Sequence, residues 1–454
     1  MKTNSTDLTD SRVFYKSVFT LVLPMALQNL INVAVTSADV MMLGKLGDTV
    51  LSGASLAGQV QYIMTLIFFG ITSGSAVLSA QYWGKNDVDA VEKILGIALK
   101  FSLIISVIFT FISIAFPYQC MSLFSNEQPV IEEGVKYLRI LSVSYIFTSV
   151  TMIYLNIMRS VERVIISTVV YLSSLICNIT LNWLLIFGKF GLPELGIQGA
   201  AVATCIARIM EFIIVAVYSK SKKTPVHFRI SNILKNDKLL FKDFLKYSLP
   251  VMLNELAWGA GGAMNTLIMG KLGETVVSAN AVAQNVRQLA TVVAFGIANA
   301  TAIMLGKVIG SGELKKAEEY SKRFVKLTLI VGASATLIVL CVRPVMIQFM
   351  ELSAQAEEYL GIMLLVMSYF VFAQAFNTTM VVGVFRSGGD TIFGLIMDIS
   401  TMWGCSILFG ALSAFVFKLS VPLVYIILMS DEIIKIPLSI YRYRSKKWLR
   451  NVTR

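Results

Sequence analysis

The sequence is poor in charge and in the side chains on which most enzymes depend. Only 15% of its 454 residues are charged, and its single histidine, His227, lies in a basic segment. The five cysteines are far apart, with no CxxC pair and no zinc-ligand or disulfide spacing. The sequence has no GxxxxGK[ST] phosphate loop and no recognisable nucleophile–base set or metal-ligand cluster. We therefore expect neither an enzyme nor a metalloprotein, no organic cofactor and no direct hydrolysis of ATP.

What the sequence has in excess is apolar residues. The hydrophobic fraction is 56% and the mean hydropathy is +0.73. A soluble chain of this size would need more polar surface to cover its core, so the excess indicates that lipid is the solvent. The net charge of +12 then points to basic cytoplasmic loops and not to a nucleic-acid partner. The first apolar run continues to Met42 without a small-residue cleavage site, so we interpret it as a membrane span.

Runs of about 20 apolar residues, the length that spans a bilayer, recur along the chain. We predict an all-α polytopic membrane protein whose twelve transmembrane helices cover residues 15–43, 51–81, 92–117, 133–158, 163–187, 197–218, 244–269, 277–305, 320–342, 358–384, 390–416 and 420–440. Lysine and arginine cluster in 220–246 and 442–454, whereas loops such as 127–133 and 351–358 are acidic. The positive-inside rule therefore predicts a multi-pass protein of the cell membrane with both termini and the 220–246 connection in the cytoplasm.

The two halves of the chain repeat each other. The segment Gly44–Val50 (GKLGDTV) recurs 226 residues later as Gly270–Val276 (GKLGETV). The same offset relates three further pairs: Pro24 with Pro250, Gly70 with Gly296, and Gly84 with Gly310. One register held over so long a stretch is the signature of a duplicated unit.

Each half holds six predicted spans, so both halves enter and leave the membrane on the same side. This arrangement predicts parallel repeats related by a pseudo-two-fold axis along the membrane normal. We expect an N-lobe at 1–218, a cytoplasmic linker at 219–246, and a C-lobe at 247–454 that ends in a basic tail. Two lobes of this kind form a central cavity, and rocking between them would open that cavity alternately to each side. A purely structural membrane protein could also arise by duplication.

Two acids within the spans have no acidic counterpart in the other half. Asp39 lies late in the first span and aligns with Asn265, whereas Glu255 lies near the middle of the seventh and aligns with Asn29. A charge in lipid costs at least about 2.5–3.5 kcal/mol, so we interpret both acids as functional. The alternatives are an interfacial position for Asp39 and a protonated, hydrogen-bonded acid at Glu255.

Three polar residues of the same half are candidate partners of Asp39. Asn178 and Asn182 are four residues apart, hence on one helix face, and Thr204 belongs to the next span. A carboxylate, two amides and a hydroxyl offer the oxygen ligands that a sodium ion or a hydronium ion takes. The alternative is a set of interhelical hydrogen bonds, each worth roughly 0.6 kcal/mol.

Other charges within the spans pair by spacing. Arg208 and Glu211 are three residues apart, and so are Glu432 and Lys435, which predicts two structural ion pairs. Asp398 has no local partner, and we expect it either to pair with Lys435 or to line a cavity of the C-lobe.

Several segments, taken in order, resemble those of one family, the multidrug and toxic compound extrusion (MATE) transporters. They are Pro24, Asp39–Gly47 (DVMMLGKLG), Ser79–Gly84 (SAQYWG), Asn178–Asn182 (NITLN), Gly196–Thr204 (GIQGAAVAT) and Arg386–Thr391 (RSGGDT). The resemblance covers nearly the whole chain. It implies a two-lobed secondary antiporter that exports small, cationic, amphipathic compounds in exchange for sodium ions or protons.

The resemblance also implies sites. In several members, the residues that match Asp39, Asn178, Asn182 and Thr204 form the ion-coupling site. The position of Asn182 is often Asp in the family, so the amide found here weakens the case for tight sodium binding and leaves protonation of Asp39 as a simple alternative.

For substrate binding we expect Glu255, Asn254 and Gln284 to take part. We expect the transporter to work as a monomer in the lipid bilayer. The alternative function is a flippase for lipid-linked saccharides from the same superfamily. A flippase would need a cationic cavity for diphosphate, for which Arg287 is a lone candidate.

Overall fold

The computed structural model describes residues 5–221, 224–234, 237–349 and 353–454, and all regular structure in these ranges is helical. Three lysines of the predicted cytoplasmic linker, Lys222, Lys223 and Lys235, lie outside the described residues. So do Glu351 of the predicted acidic loop and the first four residues of the polar head.

Ten helices cover the first repeat and the beginning of the second. They are α1 (Ser5–Gly44), α2 (Asp48–Gly84), α3 (Val88–Ala115), α4 (Pro117–Ser122), α5 (Gln128–Leu141), α6 (Ser144–Ser160), α7 (Ile165–Ile186), α8 (Gly196–Lys220), α9 (Ile230–Leu234) and α10 (Lys238–Leu272). A short 3₁₀ turn, Lys189–Gly191, lies between α7 and α8.

The remaining helices include stretches of π-helix. They are α11 (Glu274–Gly310), α12 (Leu314–Phe349), α13 (Ala354–Thr378) with a π extension (Thr379–Phe385), α14 (Thr391–Asp398), a π segment (Ile399–Ile407), α15 (Leu408–Ala411), a second π segment (Leu412–Val416), α16 (Val421–Leu428) and α17 (Asp431–Arg444). Such π segments inside helices are frequent near functional sites.

Each of the twelve predicted spans falls on a long helix or on successive helical segments. Among the described residues, nine helices are long and apolar enough to cross a membrane, and α5 with α6 forms a tenth candidate that is bent by 55°. The seventh predicted span is the 35-residue helix α10, whose apolar run is interrupted by Asn254 and Glu255. The twelfth is divided between α16 and α17. The prediction of an all-α polytopic membrane protein is therefore confirmed.

The helices form two compact units that do not coincide with the halves of the sequence. One unit holds Leu27–Ser79 and Asp87–Met252, and the other holds the described part of Met1–Ala26 together with Ala80–Asn86 and Leu253–Arg454. The boundaries in α1 and α10 fall two residues after Pro24 and Pro250, where the missing backbone donor interrupts the helical hydrogen bonds. The division into lobes at 1–218 and 247–454 remains a prediction.

Two glycines of the repeat allow helices to approach closely within one unit. A Cβ atom on Gly84 would lie 1.9 Å from the carbonyl oxygen of Lys307, and one on Gly310 would lie 1.9 Å from that of Gln81. Because both clashes would be with backbone atoms, any side chain at either position would force α2 and α11 apart. The repeat pairs Gly84 with Gly310, so the same duplicated position allows the close approach on both helices.

The carboxy-terminal tail helps to hold the segment that carries Arg386. The Gln81 side-chain amide donates a hydrogen bond to the carbonyl oxygen of Ser387 (2.7 Å) and its oxygen accepts one from the backbone of Val452 (2.8 Å). A few residues later, Asp390 accepts two hydrogen bonds from the Arg442 guanidinium, at 2.6 and 2.7 Å. Bidentate pairs of this kind add geometric specificity. The backbone next to Arg386 is therefore fixed from both sides.

Candidate ion-coupling and substrate-binding sites

The four residues predicted for ion coupling are joined by one chain of hydrogen bonds. The Nδ2 group of Asn182 donates to Oδ1 of Asp39 at 2.5 Å and to Oδ1 of Asn178 at 3.1 Å. In turn, Nδ2 of Asn178 donates to Oγ1 of Thr204 at 3.3 Å. Three helices contribute: α1 carries Asp39, α7 carries both asparagines and α8 carries Thr204. The structure thus brings these four side chains together, and their role in coupling remains a prediction.

The spacing on α7 explains how the chain of hydrogen bonds forms. Asn178 and Asn182 are one helical turn apart, so their amides lie one above the other, and both are buried, with exposures of 2% and 0%. Nδ2 of Asn182 donates to Asp39 and Asn178, and its oxygen Oδ1 is buried with no hydrogen-bond partner in the described part of the chain. A buried amide acceptor beside a carboxylate is suited to a proton or a small cation.

A second charged pair lies in the same half. Arg208 Nη1 contacts Glu211 Oε1 at 2.6 Å, which confirms the ion pair predicted from their spacing. Arg208 also interacts electrostatically with Asp39, a relation that the sequence did not suggest because 169 positions separate them.

The carboxy-terminal half contains a cavity of about 110 Å³. Its lining residues are Asn254, Glu255, Trp258, Phe295, Gln374, Asn377, Thr378, Val381, Val382, Arg386, Asp398, Glu432 and Lys435. Two of the three predicted substrate-binding residues, Asn254 and Glu255, are in this lining. The third, Gln284, is not, since its Oε1 accepts a hydrogen bond from Arg287 Nε at 2.7 Å on the same helix.

A buried lysine is the centre of the charges around this cavity. Lys435 Nζ lies 3.0 Å from Asp398, 3.2 Å from Asp431 and 3.1 Å from Glu432. The predicted pairings of Lys435 with Glu432 and with Asp398 are both confirmed, and Asp431 is an additional partner. Lys435 is only 2% exposed, so its charge is balanced by carboxylates and not by water.

Neutral and charged partners hold the cavity's carboxylates in place. Arg386 Nη2 contacts Glu255 Oε1 at 3.0 Å, and Asn254 Nδ2 donates to Asp398 Oδ2 at 2.9 Å. Asn377 Nδ2 also donates to Glu432 Oε2 at 2.8 Å. We did not predict Arg386 or Asn377 as site residues. A signal existed for Arg386, because it lies just after a predicted span and aligns in the repeat with Arg159.

Comparison with known families identifies the chain. The model of the MatE family matches residues 24–184 and again residues 250–412. The chain belongs to the MatE family. Each match begins at one of the two repeat prolines, Pro24 and Pro250, which confirms the internal repeat. Members of this family are transporters, so the chain is a membrane transporter and not an enzyme.

Curated MatE relatives are similar over most of their length. The chain is 24% identical over 396 residues to the probable multidrug resistance protein YoeA of Bacillus subtilis, which covers 87% of this chain and 85% of that protein. It is 23% identical to the probable multidrug resistance protein NorM of Thermotoga maritima, over 95% of this chain and 93% of that protein. Both of these relatives are named as probable multidrug resistance proteins.

Solved structures confirm the MatE fold. A MOP superfamily transporter from Pyrococcus furiosus superposes with a TM-score of 0.85 at 19% identity, covering 95% of both chains. An outward-facing multidrug resistance MATE family transporter superposes with a TM-score of 0.84 at 20% identity, covering 95% of this chain and 96% of that one. The fold is shared although four residues in five differ.

Proposed function

We propose that this MatE chain is a secondary active antiporter that works as a monomer and exports cationic amphipathic compounds across the cell membrane in exchange for protons or sodium ions. The observation that carries the proposal is the charge of the carboxy-terminal cavity. Among the described residues, three carboxylates (Glu255, Asp398 and Glu432) and two cations (Arg386 and Lys435) line it. An acidic cavity attracts cations, and it repels the anionic groups of other substrate classes.

The amino-terminal cluster supplies a means of coupling. Asp39, when ionised, accepts a charge-assisted hydrogen bond from Asn182, and this bond is stronger than one between neutral groups. A proton on Asp39 weakens that bond and frees the amide of Asn182. Because Asn182 also holds Asn178, which holds Thr204, the change passes from α1 to α7 and α8.

The same cluster also has the donor atoms for a sodium ion. The Asp39 carboxylate, Oγ1 of Thr204 and Oδ1 of Asn182, which has no partner within the described ranges, are hard oxygen ligands, which sodium prefers. With a single carboxylate, the cluster suits weak binding of a monovalent ion. The chemistry of the ligands therefore supports both coupling ions.

The deciding experiment is export of a fluorescent organic cation from proteoliposomes that contain the purified protein. A proton gradient and a sodium gradient are imposed separately, and empty liposomes serve as the control. We expect export under at least one gradient and none without a gradient. Dye export at the same rate with and without either gradient would refute secondary antiport.

The flippase alternative receives no support from the cavity. A lipid diphosphate needs basic side chains at the binding site, whereas carboxylates outnumber cations in this lining. Arg287, the candidate for diphosphate binding, does not line the cavity, and its Nε and Nη1 atoms contact Gln284 and Gln374.

We also propose that both termini and residues 220–246 face the cytoplasm, because lysine and arginine accumulate there. Ser231, an exposed residue of α9, is a suitable reporter. In a variant without the native cysteines, Ser231→Cys should react with an impermeant maleimide only after the cells are opened. Labelling in intact cells would reverse the orientation.

A further inference from the structure

We propose that the carboxy-terminal cavity accepts one monovalent cationic headgroup that bears N–H donors, and that Arg386 is the residue that limits the site to a single positive charge. The inference takes cation export from the proposed function and adds the charge and the hydrogen-bonding class of the substrate. Charge specificity then depends on Arg386, the ion-pair partner of Glu255, and not on Glu255 alone.

The size of the cavity limits what enters it. Pockets for drug-sized ligands measure roughly 300–1,000 Å³, whereas this cavity measures about 110 Å³. A primary ammonium group with a few carbon atoms fits such a volume, and a whole amphipathic compound does not. The cavity therefore holds the charged end of a substrate, with Trp258 and Phe295 as the aromatic part of its wall.

The charges around the cavity leave room for one positive charge. When all groups are ionised, the three lining carboxylates exceed Arg386 and Lys435 by one negative charge. Behind the lining, Asp431 contacts Lys435 at 3.2 Å and Arg287 contacts Gln374 at 3.5 Å, and their opposite charges cancel. A monovalent cation would neutralise the site. A second positive charge would be uncompensated in a medium of low dielectric constant, where that is costly.

Hydrogen bonding favours a donor over a quaternary ammonium group. Nδ2 of Asn254 donates to Asp398, and its oxygen Oδ1 is buried with no hydrogen-bond partner among the residues that the structure describes. Asn254 is 5% exposed and lines the cavity. An ammonium N–H in the cavity would supply the missing donor to Oδ1, and a trimethylammonium group would not.

Arg386 is suited to be a permanent counter-charge. Its guanidinium contacts Glu255 at 3.0 Å, and its side chain is 7% exposed. The backbone that follows it is fixed by Gln81, as described above. Replacing Arg386 by glutamine would therefore raise the net negative charge of the cavity by one while preserving much of the side-chain volume.

Binding to the purified protein tests the inference without transport. Thermal unfolding is followed while pentylammonium, 1,5-diammoniopentane or pentyltrimethylammonium is added, since a ligand that binds the folded state raises the melting temperature. All three are fully charged at pH 7, because alkylammonium groups titrate near the value of lysine, about 10.4. We expect pentylammonium to half-saturate at a concentration at least about tenfold below that of either competitor, given the strength of an uncompensated charge.

Variants assign the effect to Arg386. Arg386→Gln should reverse the order, so that the diammonium compound binds more tightly than pentylammonium, whereas Arg386→Lys should keep the wild-type order. Arg343→Gln is the matched control, because Arg343 donates to the carbonyl oxygen of Gly361 and does not line the cavity. It should leave all three concentrations unchanged.

Several results would overturn the inference. If the wild type binds the mono- and diammonium compounds equally tightly, the charge limit is refuted. It is also refuted if Arg386→Gln changes the half-saturating concentrations of both compounds by the same factor. Equal binding of pentyltrimethylammonium would refute the donor requirement. If Arg386→Gln does not fold, the wild type and Arg386→Lys still decide the matter. Proteoliposomes that export no cation while this order of binding holds would refute the proposed function and leave the binding site standing.

Discussion

The two halves of this transporter carry different charges at equivalent positions of the repeat. Arg159 and Arg208 of the first half align, at an offset of 227 residues, with Arg386 and Lys435 of the second, so the basic positions are kept. The acids are not kept. Asp398 aligns with Tyr171, a neutral residue.

The consequence is a different charge balance in each half. In the first half, Arg208 is paired with one acid, Glu211, and Asp39 is reached through amides. In the second half, the aligned Lys435 is surrounded by three carboxylates. A lone carboxylate on an amide chain is suited to exchanging an ion, whereas an acidic cluster around a cavity is suited to recognising cations. The difference supports a division of labour in which the first half couples and the second half binds.

The prediction with the largest effect concerns the coupling carboxylate. Asp39→Asn should imitate the permanently protonated state and reduce gradient-driven export to below about a tenth of the wild-type rate, a change that corresponds to 1.4 kcal/mol or more. The measurement is initial export by proteoliposomes under each gradient. Asp48→Asn, the same change at a nearby exposed acid, is the control and should be inert.

The same experiment also tests whether coupling belongs to the first half. Full gradient-driven export by Asp39→Asn, with normal expression and insertion, would move the coupling role to Glu255 and leave the first half as a scaffold.

A smaller effect is expected for the cavity acid. Glu255→Gln removes the carboxylate that Arg386 contacts, so the apparent affinity for a monovalent cation should fall about tenfold, in the range of one charge-assisted hydrogen bond. The ion dependence of export should persist. The concentration for half-maximal export is the measured quantity, and Glu358→Gln, at an exposed acid, is the control. Loss of ion dependence with unchanged affinity would exchange the roles of the two halves.

The smallest expected effect distinguishes sodium from protons as the coupling ion. Asn182→Asp places a second carboxylate beside Asp39, and two carboxylates attract a hard cation better than one. We expect the sodium concentration for half-maximal export to fall by about threefold, roughly 0.6 kcal/mol. Asn265→Asp, at the repeat position of Asp39 in the other half, is the comparison variant. No change in sodium dependence would favour coupling to protons alone.

Much of the fold was predictable from the sequence, because a bilayer imposes helix length and apolarity residue by residue. The pairs Arg208–Glu211 and Glu432–Lys435 were predictable for a related reason, since residues three apart on a helix are neighbours. The positions at which helices bend or change geometry were not predictable. The bend between α5 and α6 and the π segments after α13 and α14 depend on tertiary packing.

The sites were predictable only in part. Asn178, Asn182 and Thr204 were candidate partners of Asp39 as polar residues of the same half, but their assignment to one site came from the family resemblance, because no local pattern relates residues 143 positions apart. The contact of Glu255 with Arg386, across 131 positions, was missed for the same reason.

Gln284 is a predicted site residue that does not line the cavity. Its amide is polar and lies within a span, yet it is directed to Arg287 on its own helix and does not line the cavity. Composition indicates that a polar group is present in a span, and only the fold shows which way it is turned.

The most direct test of the division between the halves is the affinity for a fluorescent cation, measured on purified protein across a series of pH values and sodium concentrations. Coupling is reciprocal, so an ion that weakens substrate binding must itself be displaced by substrate. We predict that acid or sodium weakens cation binding in the wild type, that this dependence disappears in Asp39→Asn, and that it persists at lower affinity in Glu255→Gln. Ion dependence that survives in Asp39→Asn and disappears in Glu255→Gln would contradict the account.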